Sequence, residues 1–397
     1  MALPSRLCAP DNGFRAKSAV FATGLLAVFL VGFAHRFYAH NGLIEMHNQF
    51  MARVHNGEYL PILHPGIYWL SNIVSYVTTW PAQESLYGVL SIHAAFTLYA
   101  ILWALRLLDT HPVDPYFLLL CALGIMIAAP VGLPLLNPGV YNFPAYARTA
   151  FLLRNATHVA VQPYAIAAFG LLGAIIGHTK VFSWKSGLAA GILLWISALM
   201  KPSFALTIIP AILLYAFARP EYSSKDRARI IAILLPAALL ILGQFYIGFV
   251  YNPLAAQTIH VMFKPWAVWS VNNQYPLLSL LLAIAFPAWV LIFRKNTLSA
   301  PTIIAWVNLA IAIIPFTLLY EVPGISTSSD RDFEWSYLYA QQLLMLCSVM
   351  EWWRWLRDAR QKKTSGLPEG LGAIHIAGLL FVAHAMTGYM RLLVVGH

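Results

Sequence analysis

Charge is what this chain has least of. Only 10% of its 397 residues are Asp, Glu, Lys or Arg, against about 25% in a soluble domain. With 60% hydrophobic residues and a mean hydropathy of +0.68, it cannot be solvated as a water-soluble globule. The class is a polytopic membrane protein. Cysteine is scarce as well: Cys8, Cys121 and Cys347. No pair of them has metal-ligand spacing, and no disulfide framework is implied. Cys8 follows no apolar signal region, so it is not a lipoprotein cysteine. Also missing are a Gly-rich phosphate loop, a Walker pattern and a dinucleotide fingerprint, which disfavours a cytoplasmic nucleotide-sugar enzyme. The net charge of +10 comes with no basic run interleaved with aromatics. It reads as a positive-inside signal, and no nucleic-acid partner is expected.

What is present is a succession of apolar runs. A spanning helix needs about 20 such residues, and spans are read near 18–35, 85–107, 115–136, 160–177, 187–200, 204–218, 230–250, 275–293, 299–320, 336–353 and 371–391. The expected fold is all-α, about eleven transmembrane helices in one domain, 1–397, with no separate soluble domain. The first run follows Lys17 without a small-residue cleavage site and reads as a retained anchor. "LMKPSF" interrupts the apolar region 187–218. Proline ends or kinks a helix there, and a lysine does not belong at mid-bilayer, so the segment reads as a tight turn at one face. With that turn, and the N-terminus in the cytoplasm, 17 of the 25 Lys and Arg fall inside. The C-terminus is then outside.

The outer segments are of a different kind. The first, 36–84, opens with "NGLIEMHNQFMARVHNG". Leu43, Met46, Phe50 and Val54 recur at helical spacing, while Glu45, Asn48, Gln49, Ala52, Arg53 and Asn56 take the opposite face. This predicts an amphipathic interfacial helix, too short to span, ended by Gly57. "PILHPGIYWL" then turns the chain, and "IYWLSNIVSYV" predicts a second interfacial or re-entrant helix. Glu45, with His47, His55, Glu58 and His64, is thereby brought to the outer rim of the bundle. A carboxylate held there suits a general base. It equally suits a ligand to a divalent cation, Mg or Mn, through oxygen.

An acidic residue soon after the first span, an A-x-x-x-x-x-G stretch and then His-Pro resembles the first loop of the GT-C glycosyltransferase superfamily. The likeness is to its protein-mannosyltransferase-like and aminoarabinose-transferase-like bacterial branches. The matching residues are Glu45, Ala52, Gly57, His64 and Pro65. Where the family has an Asp this chain has Ile44, and where it has a second Pro this chain has Gly66, which leaves Glu45 to act alone. The resemblance covers about 30 residues closely. It implies an inverting transfer of a sugar from a polyprenyl-phosphate donor to a hydroxyl of a glycan, lipid or protein acceptor. The reaction would run on the outer side of a bacterial inner membrane, in cell-envelope glycan assembly. Glu45 would deprotonate or orient the acceptor, and basic residues of later loops would hold the lipid phosphate.

Those cations exist. The outer loops supply Arg148 and Arg154, then Lys201, Lys264 and Arg331. Arginine meets phosphate in a bidentate fork, which favours Arg148 and Arg331. Trp266, Trp269 and Trp335 are candidate platforms for a sugar face, and His47, Arg53, Glu58 and His64 complete the substrate-binding set. Taken singly, each cation is as readily explained by snorkelling to lipid headgroups, and the tryptophans by an interfacial belt. A transporter or flippase would instead show broken helices and ionisable groups deep in the membrane. No Asp, Glu or Arg is read deep inside a span, and Lys201-Pro202 is the most transporter-like feature. A polysaccharide polymerase or ligase would carry a dominant late outer loop, whereas here the first is the largest.

Overall fold

The computed structural model describes residues 12–40, 45–56, 65–109, 113–131, 156–177, 183–247, 259–267, 276–323, 332–362 and 371–395. Apolar runs coil into helices because a chain in hydrocarbon must satisfy its own backbone groups. The elements are α1 (Asn12–His40), α2 (Glu45–His55), α3 (Gly66–Thr78), α4 (Ala82–Leu108), α5 (Pro115–Ile127), α6 (Ala156–Gly177), α7 (Trp184–Met200), α8 (Ser203–Ala218) and α9 (Ser224–Phe245). They continue with β1 (Ile259–Phe263), α10 (Pro276–Ala283), α11 (Ala285–Arg294), α12 (Ala300–Leu318), β2 (Leu319–Pro323), α13 (Asp332–Lys362) and α14 (Leu371–Val395). Among the described residues six helices are long and apolar enough to cross a membrane: α1, α4, α6, α9, α12 and α14. A seventh span results if α10 and α11, bent by 64° at Ile284, count as one. Of the other expected spans, α5, α7 and α8 are shorter apolar helices. α5 stops at Ile127, ahead of Pro130, and the expected span beyond 131 lies outside the described residues.

The last expected span but one is the centre of the bundle. α13 packs against α12, α8, α11, α14, α4, α5 and α6, and every residue from 336 to 351 is buried. Its polar residues Gln341, Gln342 and Glu351 therefore face protein. Around it, small residues let helices approach closely. Gly170 of α6 lies on Ala104 of α4, and Gly173 lies against Leu108 and Pro301.

Two prolines shape the path. Pro202 has no N–H for the carbonyl of Ala198, and Pro287 none for that of Ala283. Gln244 of α9 donates to Ala198 O at 3.0 Å, and Gln341 of α13 to Ala283 O at 3.3 Å, so each broken turn is satisfied by a neighbouring helix. At the first break the chain reverses. Gln244, near the end of α9, meets the end of α7, while Arg227, at the start of α9, donates to Ala216 O at the end of α8. α7 and α8 are therefore antiparallel, as the reading of "LMKPSF" as a turn requires.

The same ends recur together throughout. Ser336 reaches Ser203, Tyr339 reaches His158, and the segments before α10 and after α12 pair as β1 and β2. At the opposite end Arg357 reaches Asp109, and Arg294 reaches Asp358. These are called outer and inner after the Lys and Arg bias. The ribbon departs from the all-helical expectation. It is antiparallel, with Ile259 opposite Pro323 and Phe263 opposite Leu319, and β2 leaves α12 without a break.

Candidate functional site

At the outer end the α7–α8 turn carries a buried cation. Proline disfavours a helical conformation in the residue before it, and Lys201 is accordingly extended, at φ −165°. Only 3% of Lys201 is exposed. Burying an ammonium is costly unless it has company, and Nζ lies 4.9 Å from the ring centroid of Trp335, on the first turn of α13. An ammonium over an indole face is attracted by its quadrupole. Trp335 is in turn 5.1 Å from the His158 ring, which stacks on Tyr339 at 4.3 Å. Tyr339 donates to the carbonyl of His158 at 3.1 Å, and Ser336 to that of Ser203 at 2.8 Å. The starts of α6, α8 and α13 are thus tied around Lys201, with Glu334 buried one residue before Trp335.

The first outer loop lies on this turn. Gly66, the third residue of "HPG", opens α3 and packs on the end of α7. A Cβ there would stand 3.0 Å from Leu199 O and 2.9 Å from Met200 Sδ. Glycine at this position thus permits a close approach to the residues just before Lys201. α2 lies against α3 and α4. His47 Nδ1 is 2.5 Å from Tyr68 Oη, Asn48 donates to Tyr87 Oη at 2.7 Å, and Met51 is fully buried. His55 Nδ1 is 3.0 Å from Asn72 Oδ1. Asn48, expected on the solvent face, is therefore buried, and His47 braces α2 to α3. The reason is that this helix packs on protein, so its buried face is chosen by hydroxyl partners as well as by apolar spacing.

Among the described candidates, Lys201 and Trp335 come together. Lys264 is exposed beyond β1, with its N–H donating to Leu318 O at 2.9 Å. Trp266 beside it has φ +63° and donates its N–H to Thr317 O at 2.7 Å. Glu45 is the first residue of α2 and Arg53 lies within it, but their side chains are outside the described residues. Glu58, His64, Arg148, Arg154, Trp269 and Arg331 lie outside them altogether. Sequence reasoning missed His158, Tyr339, Ser336 and Glu334. A signal existed: His158 and Gln162, polar and four apart in an apolar helix, mark one buried stripe.

At the inner end an acid is buried two residues from the end of the expected span 336–353. Glu351 of α13 is fully buried. Its Oε1 accepts from Ser299 N (2.9 Å), Ser299 Oγ (2.6 Å), Thr302 Oγ1 (2.9 Å) and Arg354 (3.3 Å). It thereby caps the N-terminus of α12 from another helix, where a negative charge is favoured. Arg354 also donates to Leu108 O at 2.6 Å, and Arg357 reaches Asp109 at 3.3 Å. Nearby, Tyr222 donates to Ile176 O at 2.7 Å, and burial pushes its phenol up to about 12.

Among the described residues no three His, Cys, Asp or Glu side chains gather so as to hold a metal ion. The divalent cation expected from the sequence rests on Glu45 alone. In comparison with known families no family model matches this chain, and no curated protein matches it.

Proposed function

We propose that the protein is a membrane glycosyltransferase that moves a sugar from a polyprenyl-phosphate donor to an acceptor hydroxyl at its outer end. The observation that carries the reading is the contact of Gly66 with Leu199 and Met200. It sets Gly66, at the start of α3, against the residues just before a buried lysine. An acid-bearing loop and a phosphate-seeking cation at one end of a helix bundle are what the chemistry needs. The acceptor hydroxyl attacks the anomeric carbon while its proton passes to Glu45. The bond from that carbon to the phosphate oxygen breaks, the anomeric centre inverts, and polyprenyl phosphate leaves with its new charge on Lys201. Trp335 offers a ring face to the sugar. Arg148, Arg154, Lys264 and Arg331 are further partners for the phosphate, and His47, Arg53, Glu58 and His64 line the first-loop side. Eleven spans, a cytoplasmic N-terminus, an outside C-terminus and a bacterial inner membrane complete the proposal.

Glu45→Gln, in membranes supplied with a polyprenyl-phosphate sugar and scored for transfer, should abolish the reaction while the folded protein persists. Undiminished transfer would remove the proposal. A transporter is the second reading, favoured by the 64° break at Ile284. It predicts that uptake into vesicles depends on Lys201 and ignores Glu45.

A further inference from the structure

A groove lies away from this site, between α7 and α9 towards the inner end, with a volume of about 620 Å³. That is within the range of sites for organic ligands, roughly 300–1,000 Å³. We infer that it holds one acyl chain of an anionic phospholipid from the leaflet at the basic end, with the phosphate at Arg229.

Three observations choose this occupant. The groove runs along α7 from Trp184 to Trp195, a rise of about 16 Å at 1.5 Å per residue. One leaflet of hydrocarbon is about 15 Å deep, so the groove matches a single lipid tail. Its mouth carries Trp184 and Arg229, an indole and a cation at headgroup level. The adjoining segment 219–229 holds four cations against two carboxylates, and Lys185 follows Trp184 on the other wall. Arg229 meets Asp226 at 3.6 Å, but both side chains are well exposed, at 44% and 37%. A pair so screened by water yields readily to a lipid phosphate. The third observation removes a rival. Gly187 and Gly191 have the four-residue spacing used for helix pairing, yet Gly191 is already occupied within the chain. A Cβ there would stand 3.0 Å from Ile233 O of α9. The close contact that a second copy would use is taken by α9.

The full chain is reconstituted in nanodiscs of phosphatidylcholine with a minor fraction of phosphatidylglycerol, and retained lipid is weighed by native mass spectrometry. One phosphatidylglycerol per chain is expected, enriched over its share of the disc. Ala232→Phe fills the groove from its exposed side and should lower retention at least tenfold with an unchanged melting temperature. Arg229→Gln should keep a lipid but lose about fivefold of the preference for the anionic headgroup. Retention in proportion to the disc, or equal retention by Ala232→Phe, overturns the inference. So does a dimer of the chain that Ala232→Phe separates, which would make a second copy the occupant. Loss of sugar transfer plays no part in this readout.

Discussion

The two ends of the bundle bury polar groups by opposite means. At the inner end carboxylates meet guanidinium groups: Glu351 and Asp109 with Arg354 and Arg357, and Asp358 with Arg294. Opposite charges from distant parts of the chain hold α4, α11, α12 and α13 in register. At the outer end rings and hydroxyls do the tying. Tyr68 meets His47, Tyr87 meets Asn48, and Trp335 covers Lys201. An ion-pair network is a lock, since any ligand would have to displace a matched charge. At the outer end the buried ammonium of Lys201 lies over an indole face, 4.9 Å from its centroid, an attraction of ring quadrupole rather than of formal charge. Under the proposed function, the difference teaches that the inner charges serve the fold and that Lys201 at the outer end serves the lipid phosphate. Substitutions at the two ends should separate stability from activity.

The largest effect is expected at the lock. Glu351→Ala strips the tertiary cap from α12 and takes from the half-buried Arg354 one of its two carboxylates, leaving Asp109 at 3.8 Å. Removing one partner of a buried pair costs about 3–5 kcal/mol. Detergent-solubilised protein should melt at a much lower temperature, while whatever folds keeps its transfer rate. An unchanged melting temperature would mean that Glu351 is not structural.

Lys201→Met is the mirror experiment. Charge-assisted hydrogen bonds are worth about 1.5–3 kcal/mol, so losing one from the leaving phosphate should slow transfer roughly 10–100-fold at about 1.36 kcal/mol per decade. The melting temperature, followed alongside, separates loss of the phosphate partner from loss of the fold. A Lys201→Met variant that melts early and turns over normally would reverse the assignment of the two ends.

The contrast between ends is only half legible in the sequence. Long apolar runs announce α1, α4 and α6, and the Lys and Arg bias groups the loops that the structure brings together. Pro202 marks the reversal, and Pro287 marks the break at Ile284 only once its missing N–H is followed back to Ala283. Hydropathy gives α13 as a span of 336–353, although the helix is Asp332–Lys362. It scores a glutamate as a rim residue whether the side chain faces headgroups or another helix, so Glu351 looks peripheral. The β1–β2 ribbon escapes because five-residue strands inside loops gain their stability from a partner some 60 positions away, which no local pattern records. For the site, the sequence offers Lys201 and Trp335 separately. What joins them is the packing of α8 against α13.

Gly66→Val probes the seam between the first loop and the Lys201 turn. The Leu199 carbonyl is backbone and cannot move aside cheaply, so α3 must lift. Overpacking of this kind costs about 1–3 kcal/mol. The expected result is a modest loss of thermal stability with a larger loss of transfer, because the start of α3 no longer sits at the turn. Equal losses in both would make Gly66 a packing residue and nothing more.

The smallest effect is expected where the outer end is tied by a single hydroxyl. Tyr68→Phe keeps the ring that stacks on His47, at 6.0 Å between centroids, and removes only the oxygen bonded to Nδ1. A buried hydrogen bond contributes about 1 kcal/mol net, so the melting temperature should fall by only a few degrees. The more telling readout is amide exchange. α2 is held by side-chain bonds to α3 and α4, and with one removed its amides should exchange faster while those of α13 stay unchanged. Faster exchange in α13 would mean that the two ends are not energetically separate, and the division between lock and ligand site would fail with it.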